Sequence, residues 1–224
     1  MPDIKLIVSD LDRTLLRSDG TLSEYTKSVL RGCPEHGIVL AFATARPERA
    51  TRLFQDGLPV SHVIANNGAT VVSRGKEVFN AVIQSDTVNT LIRELRGCPG
   101  VRGITAEAGD FLYTNHEDIS DWPNHDVWNP VYNDFSAPIH EKIVKLSAEC
   151  VSGYVLTDIL ARYPELLLWP NSGEGWYQIT DRRVSKSNAV ILLCELLGIT
   201  TAQVMAFGDD YNDVVMPESV MAQD

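Results

Sequence analysis

The chain has 224 residues, 44% hydrophobic and 22% charged, which is the balance of a globular protein long enough for one large domain or for a core domain with an insert. A formal net charge of −11 opposes binding to a phosphate backbone, which needs a concentrated cationic surface, so no nucleic-acid partner is expected. Cys33, Cys98, Cys150 and Cys194 form no Cys-x-x-Cys pair, so neither a zinc ribbon nor a disulfide framework has its spacing. The longest apolar runs, Val39 to Ala43 and Val190 to Cys194, fall far short of the roughly 18 residues of a membrane span. No basic stretch with an apolar signal core follows Met1, so a cytoplasmic protein without a membrane partner is expected, monomeric or homodimeric.

In chain order, Ile4 to Ser9 is an apolar run that reads as a buried strand. Ser23 is placed to cap a helix over Glu24 to Cys33, ending around Pro34 to Gly37. Val39 to Ala43 predicts a second buried strand, and Pro47 suits the first turn of a helix towards Gln55. A third strand is predicted over His62 to Ala65, with Asn66-Asn67-Gly68 as a turn. Near the C-terminus a helix over Lys186 to Leu197, stopped by Gly198, leads to a fourth strand at Val204 to Phe207. This alternation predicts an α/β fold, a Rossmann-like doubly wound parallel sheet built from 1–79 and 180–224.

Between those pieces, residues 80–179 change character and predict an inserted α+β domain. A helix around Thr87 to Leu95 is followed by strand-like segments at Val101 to Ala106, Phe111 to Asn115, Lys142 to Ala148 and Leu166 to Trp169, with a second helix near Tyr154 to Tyr163. Asp121 to Pro130 is predicted as an irregular loop. Of the histidines only His116 and His125 are candidates for ligand contact. Trp122, Trp128, Trp169, Trp176 and Tyr177 are explained first as core packing and second as a wall that stacks on a ligand ring.

Ligands of open parallel sheets bind beyond the carboxyl ends of the strands, and the reactive residues fall there. Asp10 and Asp12 follow the first strand, Thr44 the second, Asp209, Asp210 and Asp213 the fourth, and Lys186 opens the helix leading back into it. Crowded carboxylates need a hard cation, and Mg2+ favours one or two carboxylates completed by water and phosphate oxygens, so Asp10 and Asp209 are candidate ligands. With Lys186 also screening charge, a phosphomonoester dianion can approach Asp10 for in-line attack, and Asp12 can give a proton to the leaving alkoxide.

The stretches Asp10-Leu11-Asp12-Arg13-Thr14-Leu15-Leu16, Thr44, Lys186 and Gly208-Asp209-Asp210-Tyr211-Asn212-Asp213 resemble the four ordered motifs of the haloacid dehalogenase superfamily. The long insert and the Gly-Asp-x-x-Asn-Asp form are similar to the Cof-type sugar-phosphate phosphatases with a C2 cap. The resemblance implies a Mg2+-dependent phosphatase of small phosphorylated metabolites, such as sugar phosphates, with an aspartyl-phosphate intermediate. It implies Asp10 as nucleophile, Asp12 as acid/base with its backbone carbonyl on the metal, Thr44 and Lys186 on the phosphoryl oxygens, and Asp209 and Asp213 at the metal. It places Asn67 at the hinge into the cap, and Arg46, Asn67 and Asn212 are candidate substrate contacts. A phosphomannomutase-like phosphomutase and a non-catalytic binding protein are the alternatives, while Asp12 argues against dehalogenase chemistry.

Two positions depart from the family pattern: Arg13 stands where Gly is usual, and Thr44-Ala45-Arg46 replaces Thr-Gly-Arg. The chain also stops at Asp224, short of the helix, strand and helix with which family members continue, so thin cover is expected at the sheet edge beside the fourth strand.

Overall fold

The computed structural model describes residues 3–122, 125–170 and 175–209, and the chain divides into two units, Met1–Asn80 with Val184–Asp224, and Ala81–Arg183. In the first unit the predicted apolar runs become β1 (Leu6–Ser9), β2 (Val39–Ala43), β3 (Val60–Ala65) and β12 (Val204–Phe207), parallel neighbours in a sheet. The complete order is β12-β1-β2-β3-β4-β5, where β4 is Thr70–Ser73 and β5 is Lys76–Asn80.

These last two strands correct the expectation of a parallel sheet, because both pairings, β3 with β4 and β4 with β5, are antiparallel. The cause is connection length: a parallel neighbour needs a crossover of a dozen or more residues, whereas the Asn66–Gly68 and Arg74-Gly75 turns return the chain at once. β4 and β5 were not foreseen, since Thr70 to Asn80 mixes apolar and charged residues with no clean alternation.

The parallel strands are apolar at nearly every position because both faces are covered. On one face Leu6, Val8, Ala41, Ala43, Ile64, Val204 and Ala206 pack with Val190 and Leu193 of α6 (Lys186–Leu197). On the other, Phe42 packs with Leu11, Leu16 and Phe54, the last from α2 (Glu48–Gln55), and Leu40 packs with Leu30 of α1 (Glu24–Gly32) and Cys33. Polar caps fix where the helices begin: Ser23 Oγ accepts from Thr26 N at 2.9 Å and Ser185 Oγ from Asn188 N at 3.0 Å. Gly198 ends α6 at φ +67°, where a Cβ would be strained. Pro47 is the residue before α2 rather than in its first turn.

The second unit is built on a sheet of order β10-β11-β9-β6-β7-β8. Its elements are α3 (Ser85–Arg96), β6 (Val101–Ala108), β7 (Phe111–Thr114), α4 (His125–Trp128), β8 (Pro130–Tyr132), β9 (Lys145–Cys150), α5 (Gly153–Leu160), β10 (Leu166–Pro170) and β11 (Trp176–Asp181). The strands pair antiparallel, except β7 with β8. Ile104, Ala106, Leu146, Ala148 and Ile179 from one face join Val88, Leu91, Leu95 and Leu156 of α3 and α5 in a single core. Here too the sequence needed correction: α4 lies inside the predicted irregular loop, and β9 starts at Lys145 rather than Lys142. The strand β11 was hidden by its aromatic residues, of which Tyr177 packs on the core while Trp176 meets His116 and Trp122.

His62, on β3, is 1% exposed, and neither ring nitrogen has a hydrogen-bond partner among the described residues. Burial, with a smaller contribution from Arg74, pushes its pKa below the ordinary histidine value. The unfolded chain therefore takes up a proton below about pH 6.5 that the folded chain refuses, so stability present above that pH is lost as pH falls towards the folded pKa. Denaturant unfolding at pH 7.5 and 5.5 is expected to show a smaller decline for His62→Leu than for the wild type.

Candidate active site

Strands β1, β2 and β12 end level with one another, Ser9 lying beside both Phe42 and Phe207. The residues that follow them therefore share one rim. Asp10 comes directly after β1 and its N–H donates to Phe207 O at 2.9 Å. Thr44 comes directly after β2 and its N–H donates to Ile64 O at 2.8 Å. Asp209 lies two residues beyond β12, and Thr14 Oγ1 donates to its Oδ1 at 3.2 Å. Asp210, Asn212 and Asp213, three of the motif residues at this end of the chain, lie outside the described residues.

Lys186 reaches the rim from the first turn of α6 and its Nζ donates to Asp10 Oδ1 at 2.9 Å. Both side chains are buried, 3% and 9% exposed, so this is an ion pair in a low-dielectric setting, not a surface contact. Its position depends on a backbone contact. Gly68, in the turn after β3, has φ +99°, and a Cβ there would collide with the Ser185 carbonyl just before Lys186.

Asn66 and Asn67 precede it in the left-handed region at φ +50° and +59°, a conformation asparagine tolerates better than most residues. The turn is clamped to the loop after β2, since Asn67 N donates to Thr44 O at 3.0 Å and Asn66 N to Arg46 O at 2.9 Å. Both asparagines are buried on the rim of this unit.

Asp12 faces outward, its side chain 51% exposed, and both carboxylate oxygens accept from Arg46: Nε to Oδ2 at 2.7 Å and Nη2 to Oδ1 at 2.6 Å. Arg46 N donates to Thr44 Oγ1 at 3.2 Å, and its guanidinium lies over the Phe54 ring at 5.2 Å. The hydrogen bond to Asp12 raises the Arg46 pKa, more than burial lowers it. Arg13 is exposed at φ +61° inside a wide turn closed by Leu16 N on Leu11 O at 2.8 Å, which accounts for the usual Gly at this place.

The sequence placed Asp10, Asp12, Thr44, Lys186, Arg46, Asn67 and Asp209 at one site, and all seven stand in the loops at the strand ends of this unit or at the start of α6. It gave no role to Thr14, Asn66 or Phe54. Thr14 lies inside the first motif, Asn66 in the turn after the third strand, and Phe54 carries no signal beyond an apolar helix position.

The donors here are all oxygens, the carboxylates of Asp10 and Asp209 and the backbone carbonyls around them, which suits a hard divalent cation. Among the described residues no group of three or more His, Cys, Asp and Glu side chains could hold a metal, and Mg2+ asks for only one or two carboxylates. The Asp12 carboxylate is engaged by Arg46, leaving its backbone to serve such an ion. The set fits.

Residues 7–221 match the family model of haloacid dehalogenase-like hydrolases. The chain is 26% identical over 230 residues to 5-amino-6-(5-phospho-D-ribitylamino)uracil phosphatase YitU of Bacillus subtilis (strain 168), spanning 95% of this chain and 83% of that protein. Its fold is that of a haloacid dehalogenase-like hydrolase from Bacteroides thetaiotaomicron, with a TM-score of 0.83 at 23% identity, covering 97% of this chain and 86% of the other. It is also that of the HAD subclass IIB sugar phosphatase BT4131, with a TM-score of 0.79 at 17% identity over 94% and 82% of the two chains.

Gly68→Ala combines a strained φ with a backbone collision, and is expected to cost more than about 2 kcal/mol of stability. Because the collision is with the residue that caps α6, equilibrium unfolding should show the loss and activity of the folded fraction should fall with it.

Proposed function

Because the chain belongs to the haloacid dehalogenase-like hydrolases and is a phosphoric monoester hydrolase, we propose that it transfers a phosphoryl group from a small phosphomonoester to Asp10 and then to water. The observation that carries this reading is the buried Asp10 carboxylate at a strand end, one oxygen held by Lys186. A nucleophile needs such fixed geometry, because holding reacting groups in place supplies much of the rate enhancement.

Asp10 attacks phosphorus in line with the leaving oxygen, and the Asp12 carboxyl gives that oxygen its proton. Asp12 then takes a proton from the water that attacks the aspartyl-phosphate, and free phosphate leaves. Thr44 Oγ1 and Lys186 Nζ hold phosphoryl oxygens, with Thr44 oriented by the Arg46 N–H. Asn67 and Asn212 are assigned to substrate. Asp10, Asp209 and Asp213, with the Asp12 carbonyl, would hold Mg2+, which when bound offsets the repulsion between the phosphate dianion and the carboxylates.

For the substrate, a sugar phosphate or similar polyol phosphate is supported by the relatives, one named for a phosphorylated ribityl compound and the other as a sugar phosphatase. The second unit, with its own core and sheet, is assigned to substrate selection.

With Mg2+ the protein is expected to hydrolyse 4-nitrophenyl phosphate and to lose that activity on chelation. Asp10→Asn should lower kcat by about a thousandfold or more. Equal activity in Asp10→Asn and wild type would refute the nucleophile, and isomerised sugar phosphate in place of free phosphate would make the protein a mutase.

A further inference from the structure

Arg46 has the geometry of an anchor. Its side chain is 15% exposed against 51% for Asp12, and the residue is held at three further points, one through the side chain and two through the backbone. The Phe54 ring lies 5.2 Å beneath the guanidinium, the Arg46 N–H is bound to Thr44 Oγ1, and its carbonyl accepts from Asn66 N. Asp12 has far less to fix it. It sits in the wide turn between Leu11 and Leu16, beside the left-handed Arg13, with its side chain towards solvent.

An exposed carboxylate of this kind samples several rotamers unless a partner selects one. The planar fork of an arginine does so, because two parallel N–H donors fix the carboxylate plane as well as its distance. A pair kept only for stability would return little here, since exposed ion pairs contribute less than about 1 kcal/mol. The unequal burial, and the direct link from Arg46 to Thr44, tie the pair to the site instead.

We propose that Arg46 is the positioning residue for Asp12, setting its carboxyl at the orientation from which it gives a proton to the leaving oxygen. The inference rests on the roles of Asp10 and Asp12 proposed above. In the first half-reaction the Asp10–phosphorus bond forms, the bond from phosphorus to the leaving oxygen breaks, and that oxygen takes the Asp12 proton. The carboxylate left behind accepts from both Arg46 nitrogens, as it does in this structure. In the second, the attacking water gives its proton to Asp12 as the Asp10–phosphorus bond breaks.

Proton donation matters only as far as the leaving group needs it. 4-Nitrophenyl phosphate departs as a stable phenolate, whereas benzyl phosphate, of similar size, must leave as an alcohol. For Arg46→Ala, kcat/KM on benzyl phosphate is expected to fall about a hundredfold, the scale of general acid catalysis, and about tenfold or less on the nitrophenyl ester. Asp12→Asn should show the same bias, the double variant should be no worse than Asp12→Asn alone on benzyl phosphate, and Arg46→Lys should recover part of the loss.

Equal losses on both esters would overturn the inference in favour of a structural or phosphate-binding role, as would additive losses in the double variant. Should Arg46→Ala fail to fold by circular dichroism, Phe54→Leu removes the ring beneath the guanidinium while keeping an apolar side chain against Phe42, and must show the same bias in smaller degree; equal losses there overturn the inference as well. A wild type inactive on both esters, or matched by Asp10→Asn, would instead refute the underlying phosphatase mechanism.

Discussion

A carboxylate buried against an ammonium constrains everything around it. Asp10 and Lys186 lie 2.9 Å apart, far out of water, and desolvating two charges offsets most of what their attraction returns, so a pair of apolar residues would stabilise the fold as well or better. Lys186 also stands in the first turn of a helix, where the dipole opposes a cation. Neither cost serves folding. Both are carried by the packing of the elements behind them: Leu6 and Val8 anchor β1, and Val190 and Leu193 anchor α6 on the same face of the sheet. The pair exists because that core brings the two elements together, and its geometry is only as firm as the contact of Gly68 with Ser185.

Strain collects around the same rim. Arg13, Asn66 and Asn67 all have positive φ, and outside glycine each such residue costs of the order of 1–2 kcal/mol. They persist because their surroundings over-determine them. Asn66 and Asn67 each give a backbone hydrogen bond to the loop after β2, and the Arg13 turn is closed by Leu16 on Leu11, both of those leucines buried beside Phe42. The loops bearing Thr44 and Asn67 are therefore one hydrogen-bonded unit. A rigid loop pair of this kind keeps hydroxyl and amide groups in place before any ligand arrives, which is what catalysis by positioning requires.

The sequence disclosed the parts of this molecule whose physics is local. Val39 to Ala43 and Val204 to Phe207 are apolar throughout because strands covered on both faces must be, and Gly198 marked the end of α6 by capping chemistry alone. The α/β class followed from that grammar. What escaped depended on partners distant in the chain. Thr70 to Asn80 has too many charges to announce two strands, yet β3 supplies the edge on which β4 pairs and β5 follows. Trp176 and Tyr177 read as aromatic packing, which is true of their side chains and silent about the ladder their backbones make with β9 and β10.

Within the site, the carboxylates at strand ends were legible because topology fixes strand ends. The bond from Arg46 to Asp12 was not, since it spans 34 positions and depends on rotamers that no spacing encodes.

The charges at the rim explain why those pairings matter to a protein of net charge −11. An approaching phosphate is repelled by the whole molecule, but at physiological salt that field fades over about 8 Å, so the groups at the rim decide binding. Asp10, Asp12 and Asp209 set against Lys186 and Arg46 leave these named groups one negative charge in excess. Both cations already face carboxylates, Lys186 on Asp10 and Arg46 on Asp12, so they neutralise the rim without turning it positive. A single divalent cation among the oxygen donors changes that balance from one negative to one positive. On the reading proposed above, anion binding at this rim would follow cation binding.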